Sequence, residues 1–113
     1  MNKYFSKSEF ECKCGCGFDE VNPKLLKVLT EIRTHFDQPV VITSGNRCEK
    51  HNKYVGGVKN SKHIKGIAAD IKVKGIDPED VLAYLDSKYS DTLGVGVYSS
   101  WTHVDVRKFK ARW

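Results

Sequence analysis

His63, Asp70 and His103 are the residues whose types and arrangement point to metal chemistry. The first two stand near the ends of Ser61-Lys62-His63-Ile64-Lys65-Gly66-Ile67-Ala68-Ala69-Asp70. Gly66 and the small Ala68 and Ala69 between them permit a tight turn and close backbone approach. A histidine entering that turn and an aspartate on the strand that follows can converge on one point. His103, on the polar face of a late strand, can add a third ligand. Two imidazoles and one carboxylate are the ligand set of a catalytic zinc that leaves its fourth position to water. Water held there has its pKa drawn down to about 7 and becomes a nucleophile near neutral pH. On spacing alone the plainer readings stay open: a packed or surface histidine, and a solvated aspartate.

The elements that must position these residues follow from the pattern around them. Pro23 opens a helix with Asn22 as its cap, and Leu25, Leu29, Ile32 and Phe36 form a buried stripe up to Pro39. Val40 to Thr43 reads as a buried strand bounded by Ser44-Gly45-Asn46, and Cys48 to Val55 as a short helix ending at Gly56-Gly57. From Ile67 to Val73 the residues alternate, with Ile67, Ala69, Ile71 and Val73 on one face and Asp70 on the other. Asp77-Pro78 starts a helix that turns Val81, Leu82, Leu85 and Tyr89 inward. Strands over Gly94 to Tyr98 and Trp101 to Arg107 follow, joined at Ser99-Ser100. In the second, Thr102, Val104 and Val106 share one face while Trp101, His103, Asp105 and Arg107 share the other. This order predicts a single α+β domain over residues 1–113: an antiparallel sheet with helices packed on one face and the zinc site on the opposite face.

The motif His63-x-x-Gly66-x-Ala68-x-Asp70, followed by a late histidine on a terminal strand, resembles the zinc D-alanyl-D-alanine carboxypeptidase family. Relatives of that family include phage endolysins and the hedgehog signalling domain. Ser44-Gly45-Asn46-Arg47 resembles the family's segment upstream of the first ligand, and Val55-Gly56-Gly57 the segment before the Ser-x-His motif, Ser61 to His63. The resemblance runs from about Phe5 to the C-terminus. It implies hydrolysis of peptidoglycan stem peptides, with zinc held by His63, Asp70 and His103 and with Ser61 and Arg47 at the substrate. A guanidinium near the metal can grip a terminal carboxylate in a bidentate pair or polarise the scissile carbonyl. The plainer reading of Arg47 is a surface pair with Glu49 or Asp37.

One position departs from the family. Many members carry an acidic residue three positions before the last histidine, as general base, and here that position is Ser100. A serine cannot take that proton at neutral pH. Asp105 is the replacement in view, its Cα ~7 Å from that of His103 on the same strand face. It is expected either to act as the catalytic base or to orient His103 and pair with Arg107.

Cys12, Cys14, Cys16 and Cys48 raise a separate question. Alternating cysteines do not pair easily with one another. Three readings are open: a second metal site with four thiolates, one or two disulfides involving Cys48, or free thiols in a reducing compartment. Either of the first two would tie residue 48 to the N-terminus and help fix Arg47.

Composition limits the remaining possibilities. Of 113 residues, 40% are hydrophobic and 29% charged, which excludes a disordered or collagen-like chain. No apolar run approaches the ~20 residues of a membrane helix. A net charge of +5 favours polyanions only mildly, and neither a nucleic-acid nor a membrane partner is expected. The basic, aromatic end Arg107-Lys108-Phe109-Lys110-Ala111-Arg112-Trp113 is expected to fold Phe109 and Trp113 back onto the core. Met1 to Lys7 lacks the apolar stretch of a secretory signal. The expectation is a monomer made in the cytoplasm that acts on the cell wall after release, or as part of a phage particle. The leading reading is a zinc D-Ala-D-Ala carboxypeptidase, with an endopeptidase close to it. The alternative is a non-catalytic zinc-containing binding module of the same fold.

Overall fold

Asn22 sets the start of the first helix by accepting hydrogen bonds from the backbone amides of Lys24 and Leu25, and Pro23 fixes the first helical φ. In the computed structural model, which describes residues 2–113, this helix (α1) spans Pro23–Phe36. It stops at Asp37, whose φ of 50° lies in the left-handed region. A 3-10 turn, Lys7–Phe10, precedes it, and the elements that follow are β1 (Val40–Ser44), α2 (Glu49–Tyr54), β2 (Ala68–Val73), α3 (Pro78–Lys88), β3 (Gly94–Val97), β4 (Thr102–Asp105) and β5 (Ala111–Arg112). Among the described residues, no helix is long and apolar enough to cross a membrane.

The strands form one sheet in the order β1-β2-β4-β3-β5. Side-chain alternation sorts its two faces. Ala69, Ile71, Val95 and Val104 join Leu25, Val28, Leu29 and Ile32 of α1 and Val81 and Leu85 of α3 in one core. Each large side chain so buried stabilises the fold by about 1.5–3 kcal/mol. Phe36 and Leu82, expected in the same stripes, are only half-buried. The face away from the helices carries Asp70, His103 and Asp105. Register completes the placement: Asp70 lies opposite His103, and His103 opposite Gly96, so these three form a row across the sheet. Ala68, Asp105 and Gly94 form the next row.

Three expectations need correction. Val40 to Thr43 is not a wholly buried strand, because β1 lies at the sheet edge and leaves Val41 55% exposed. The sheet is not wholly antiparallel, because the short β5 returns beside β3 and pairs with it in parallel. Phe109 and Trp113 do not fold onto the core, being 64% and 49% exposed. The tail is instead stitched to β3: Ala111 and Trp113 donate backbone hydrogen bonds to Leu93 and Val95 at 3.0 and 3.1 Å. This pairing carries Trp113 to the opposite face, over Gly96, where a Cβ would meet its indole nitrogen at 2.5 Å.

Candidate metal centre

A tight turn delivers His63. The Ser61 hydroxyl accepts a hydrogen bond from the His63 amide at 3.2 Å, and Gly66 takes a φ of +72° that L side chains rarely adopt. The chain then enters β2, which presents Asp70 beside His103 of β4. His63 Nε2 stands 3.3 Å from Asp70 Oδ1, and His103 Nδ1 stands 3.0 Å from the same oxygen. One donor atom from each of the three residues lies within 4.8 Å of the others.

The far nitrogens of both rings are also engaged. His63 Nδ1 is 2.6 Å from the Gly45 carbonyl, and His103 Nε2 is 2.8 Å from Asp105 Oδ2. A carbonyl or carboxylate behind an imidazole holds the N–H proton there and turns the other nitrogen's lone pair forward. Both forward lone pairs converge on an ionised carboxylate, which is a donor set suited to zinc. Burial alone would raise the Asp70 pKa, but the His103 and His63 rings beside it outweigh this and hold the carboxyl below the usual range. Burial likewise works against the charged form of His103, and contacts with Asp105 and Asp70 overcome it and raise its pKa.

Asp105 is shut off from solvent, and both of its oxygens are occupied. Oδ1 accepts from the Arg107 amide and Nε at 3.2 and 2.8 Å, and Oδ2 accepts from Arg107 Nη2 at 2.8 Å while facing His103. Burial pushes its pKa up, but Arg107 and His103 more than reverse this and keep it ionised. Room for this packing comes from Gly94, where a Cβ would meet Arg107 Nε at 2.6 Å and crowd the carboxylate.

Arg47 reaches the site from the segment after β1. Its amide donates to the His63 carbonyl at 3.1 Å, its Nε to Ser44 at 3.3 Å and its Nη1 to Asn52 at 3.3 Å. Nη2 stands 3.5 Å from Asp70 Oδ2, on the oxygen that the imidazoles leave free. The plainer alternative for Arg47, a surface pair with Glu49 or Asp37, does not form; Asp37 instead pairs with Arg33.

His63, Asp70, His103 and Arg47 line a cleft of about 640 Å³. Arg47, Lys62 and Arg107 supply its positive charge, and Tyr98, Trp101 and Trp113 form an aromatic wall. Tyr98 stacks on Trp101 with ring centroids 4.5 Å apart and accepts a hydrogen bond from Trp113 Nε1 at 3.0 Å. Asp70 is the one carboxylate among the described residues that line the cleft. Ser100 lies on the exposed turn before β4 and does not line it. The aromatic wall, with Gly94 and Gly96, escapes a sequence reading centred on titratable residues. The available signal was Gly94-Val95-Gly96-Val97, a period of two with nothing on one face. The four cysteines are brought together as well, but none of them lines the cleft.

A family model described as Peptidase M15 matches residues 3–105, a span that includes all three candidate ligands and ends at Asp105. No curated protein matches the chain.

Proposed function

From the premise that the chain belongs to the peptidase M15 family of zinc-dependent peptidases, we propose that it hydrolyses peptidoglycan stem peptides, taking the D-Ala-D-Ala terminus as substrate. The observation that carries this reading is the convergence of His63, Asp70 and His103 at a cationic cleft. His63 Nε2, Asp70 and His103 Nδ1 would hold the ion. Zinc, when bound, supplies a Lewis acid that activates water for attack near neutral pH and polarises a carbonyl.

The chain's own residues do the rest. Gly45 and Asp105 fix the two imidazoles from behind, so Asp105 acts through His103 as a positioning residue rather than as the base. Arg47 and Lys62 provide the charge for a substrate's terminal carboxylate, and Arg47 is the fork able to take it in a bidentate pair. Ser61 sets the His63 turn and offers its hydroxyl at the cleft wall. The flat faces of Tyr98 and Trp101 favour an extended peptide laid along the opening. The enzyme would act as a monomer at the cell wall, after release from the cytoplasm or on a phage particle.

One observation favours a second reading, a non-catalytic zinc-containing binding module. With Ser100 at the position where many family members carry an acid, Asp70 among the candidate ligands and Asp105 saturated by Arg107 and His103, no carboxylate among the described residues is free to accept a proton at the cleft. Mass spectrometry of defined muropeptides, incubated with and without a chelator, separates the readings. Chelator-sensitive loss of one terminal alanine is the expected result. Internal cleavage would keep a peptidase but move the scissile bond, and zinc retention without any product would favour the binding module.

A further inference from the structure

In a straight strand, alternating cysteines would point the same way with their sulfurs about 7 Å apart. The chain at Cys12-Lys13-Cys14-Gly15-Cys16 turns instead. The Gly15 amide donates to the Cys12 carbonyl at 3.2 Å, Gly15 takes a φ of +80°, and the Cys12 amide closes the loop onto the Phe18 carbonyl at 2.8 Å. Cys48, at the start of α2, faces this loop. The resulting sulfur separations are 3.4 Å for Cys12–Cys14, 3.5 Å for Cys14–Cys48 and 3.9 Å for Cys12–Cys48. Cys16 completes a group whose sulfurs all lie within 4.8 Å of one another.

Four sulfurs bound tetrahedrally at about 2.3 Å from one zinc stand about 3.8 Å apart, close to these separations. A disulfide would join two sulfurs at about 2.05 Å and give no reason for four to meet at one point. Backbone amides also aim at the sulfurs: Cys48 donates to Cys12 Sγ and His51 to Cys48 Sγ, each at 3.4 Å. Amides so placed stabilise thiolate charge, as the surroundings of a thiolate-bound metal do. Lys13 and Lys50 border the cluster and offset the negative charge of a four-thiolate ion.

We propose that Cys12, Cys14, Cys16 and Cys48 bind a structural zinc ion in a closed four-thiolate site, separate from the His63, Asp70 and His103 cluster. The site clasps the N-terminal loop to the segment that carries Arg47. Asn46 fastens the same segment from the other side, donating to the Glu20 carbonyl at 2.6 Å through its side chain and to the Phe10 carbonyl at 2.9 Å through its amide. Arg47 is thereby held between two anchors, on residues 46 and 48.

The test is a metal and thiol count on the full chain purified without chelator. The wild type should carry two zinc equivalents. A His63→Ala/His103→Ala variant should keep one, and cobalt substituted into that variant should show intense thiolate-to-metal charge-transfer absorption. Denaturation with a chelator should release four free thiols. A Cys14→Ser/Cys16→Ser variant should lose one equivalent and melt several degrees lower, while zinc at the histidine cluster persists. A metal-free His63→Ala/His103→Ala chain overturns the proposal, as do fewer than four titratable thiols or four thiols that react at full speed in the folded protein. This count holds whether or not the cleft turns over a peptide.

Discussion

His103 is gripped on both ring nitrogens, by Asp70 in front at 3.0 Å and by Asp105 behind at 2.8 Å. Asp105 can only accept, which obliges His103 to carry its proton on Nε2 and leaves Nδ1 free as a donor to a metal. In Asp105→Asn, the amide can offer an N–H where the ring needs an acceptor, and it leaves the Arg107 guanidinium without its carboxylate. Zinc affinity and kcat should therefore fall together, each by about 10- to 100-fold. Competition against a chelating dye, run beside turnover, checks this. A fall in kcat with zinc affinity intact would instead make Asp105 the proton acceptor. That Asp105 shares a strand face with His103 was legible from alternation alone. The choice between its two roles was not, because it depends on Arg107 curling back to occupy both carboxylate oxygens.

Strand β3 shows how an element makes room for chemistry that it does not itself perform. Val95 fills the core while Gly94 and Gly96 leave empty positions on the site face, one beside Asp105 and one beneath Trp113. The two glycines should respond differently to the same substitution. An alanine at 94 pushes against a buried, fully bonded carboxylate that cannot withdraw, whereas an alanine at 96 displaces an exposed indole at the chain end. Gly94→Ala should cost about 1–3 kcal/mol of stability and weaken zinc binding. Gly96→Ala should cost well under that, because alanine recovers about 0.5–1 kcal/mol of backbone entropy in a strand. Urea unfolding of both variants, with the zinc titration repeated, tests the order; equal losses would refute it. The long helices and the alternating strands were readable because periodicity and caps are local signals. β5 was not, since a two-residue strand has no period and its place is set by pairing with Leu93 and Val95. The cysteine cluster needed the fold for the same reason: Cys48 lies 36 residues from Cys12.

Across the whole molecule the sheet divides the labour, with the cleft on one face and the two long helices on the other. The helices are tied to each other as well as to the sheet. Glu31 of α1 pairs with Lys88 at the end of α3 at 2.5 Å, and the Tyr89 hydroxyl donates to its carboxylate. Tyr84 of α3 adds a bond to the Glu31 carbonyl at 3.4 Å. Burial would raise the Glu31 pKa, but the bonds from Lys88 and Tyr89 win and set it below its ordinary value of 4.5. A carboxyl with a depressed folded pKa binds protons more readily in the unfolded chain, so its contribution is fully present above the unfolded value and is lost as pH falls through the folded one. Glu31→Gln keeps an acceptor for Tyr89 but removes the ion pair. Wild type should therefore be the more stable of the two at neutral pH, by a small margin because Lys88 is exposed. The gap should hold down to about pH 4.5 and close below it. Urea unfolding of both chains across that range provides the measurement; a gap that stayed constant into acid would mean that the lost hydrogen-bond geometry, and not the charge, accounts for the difference.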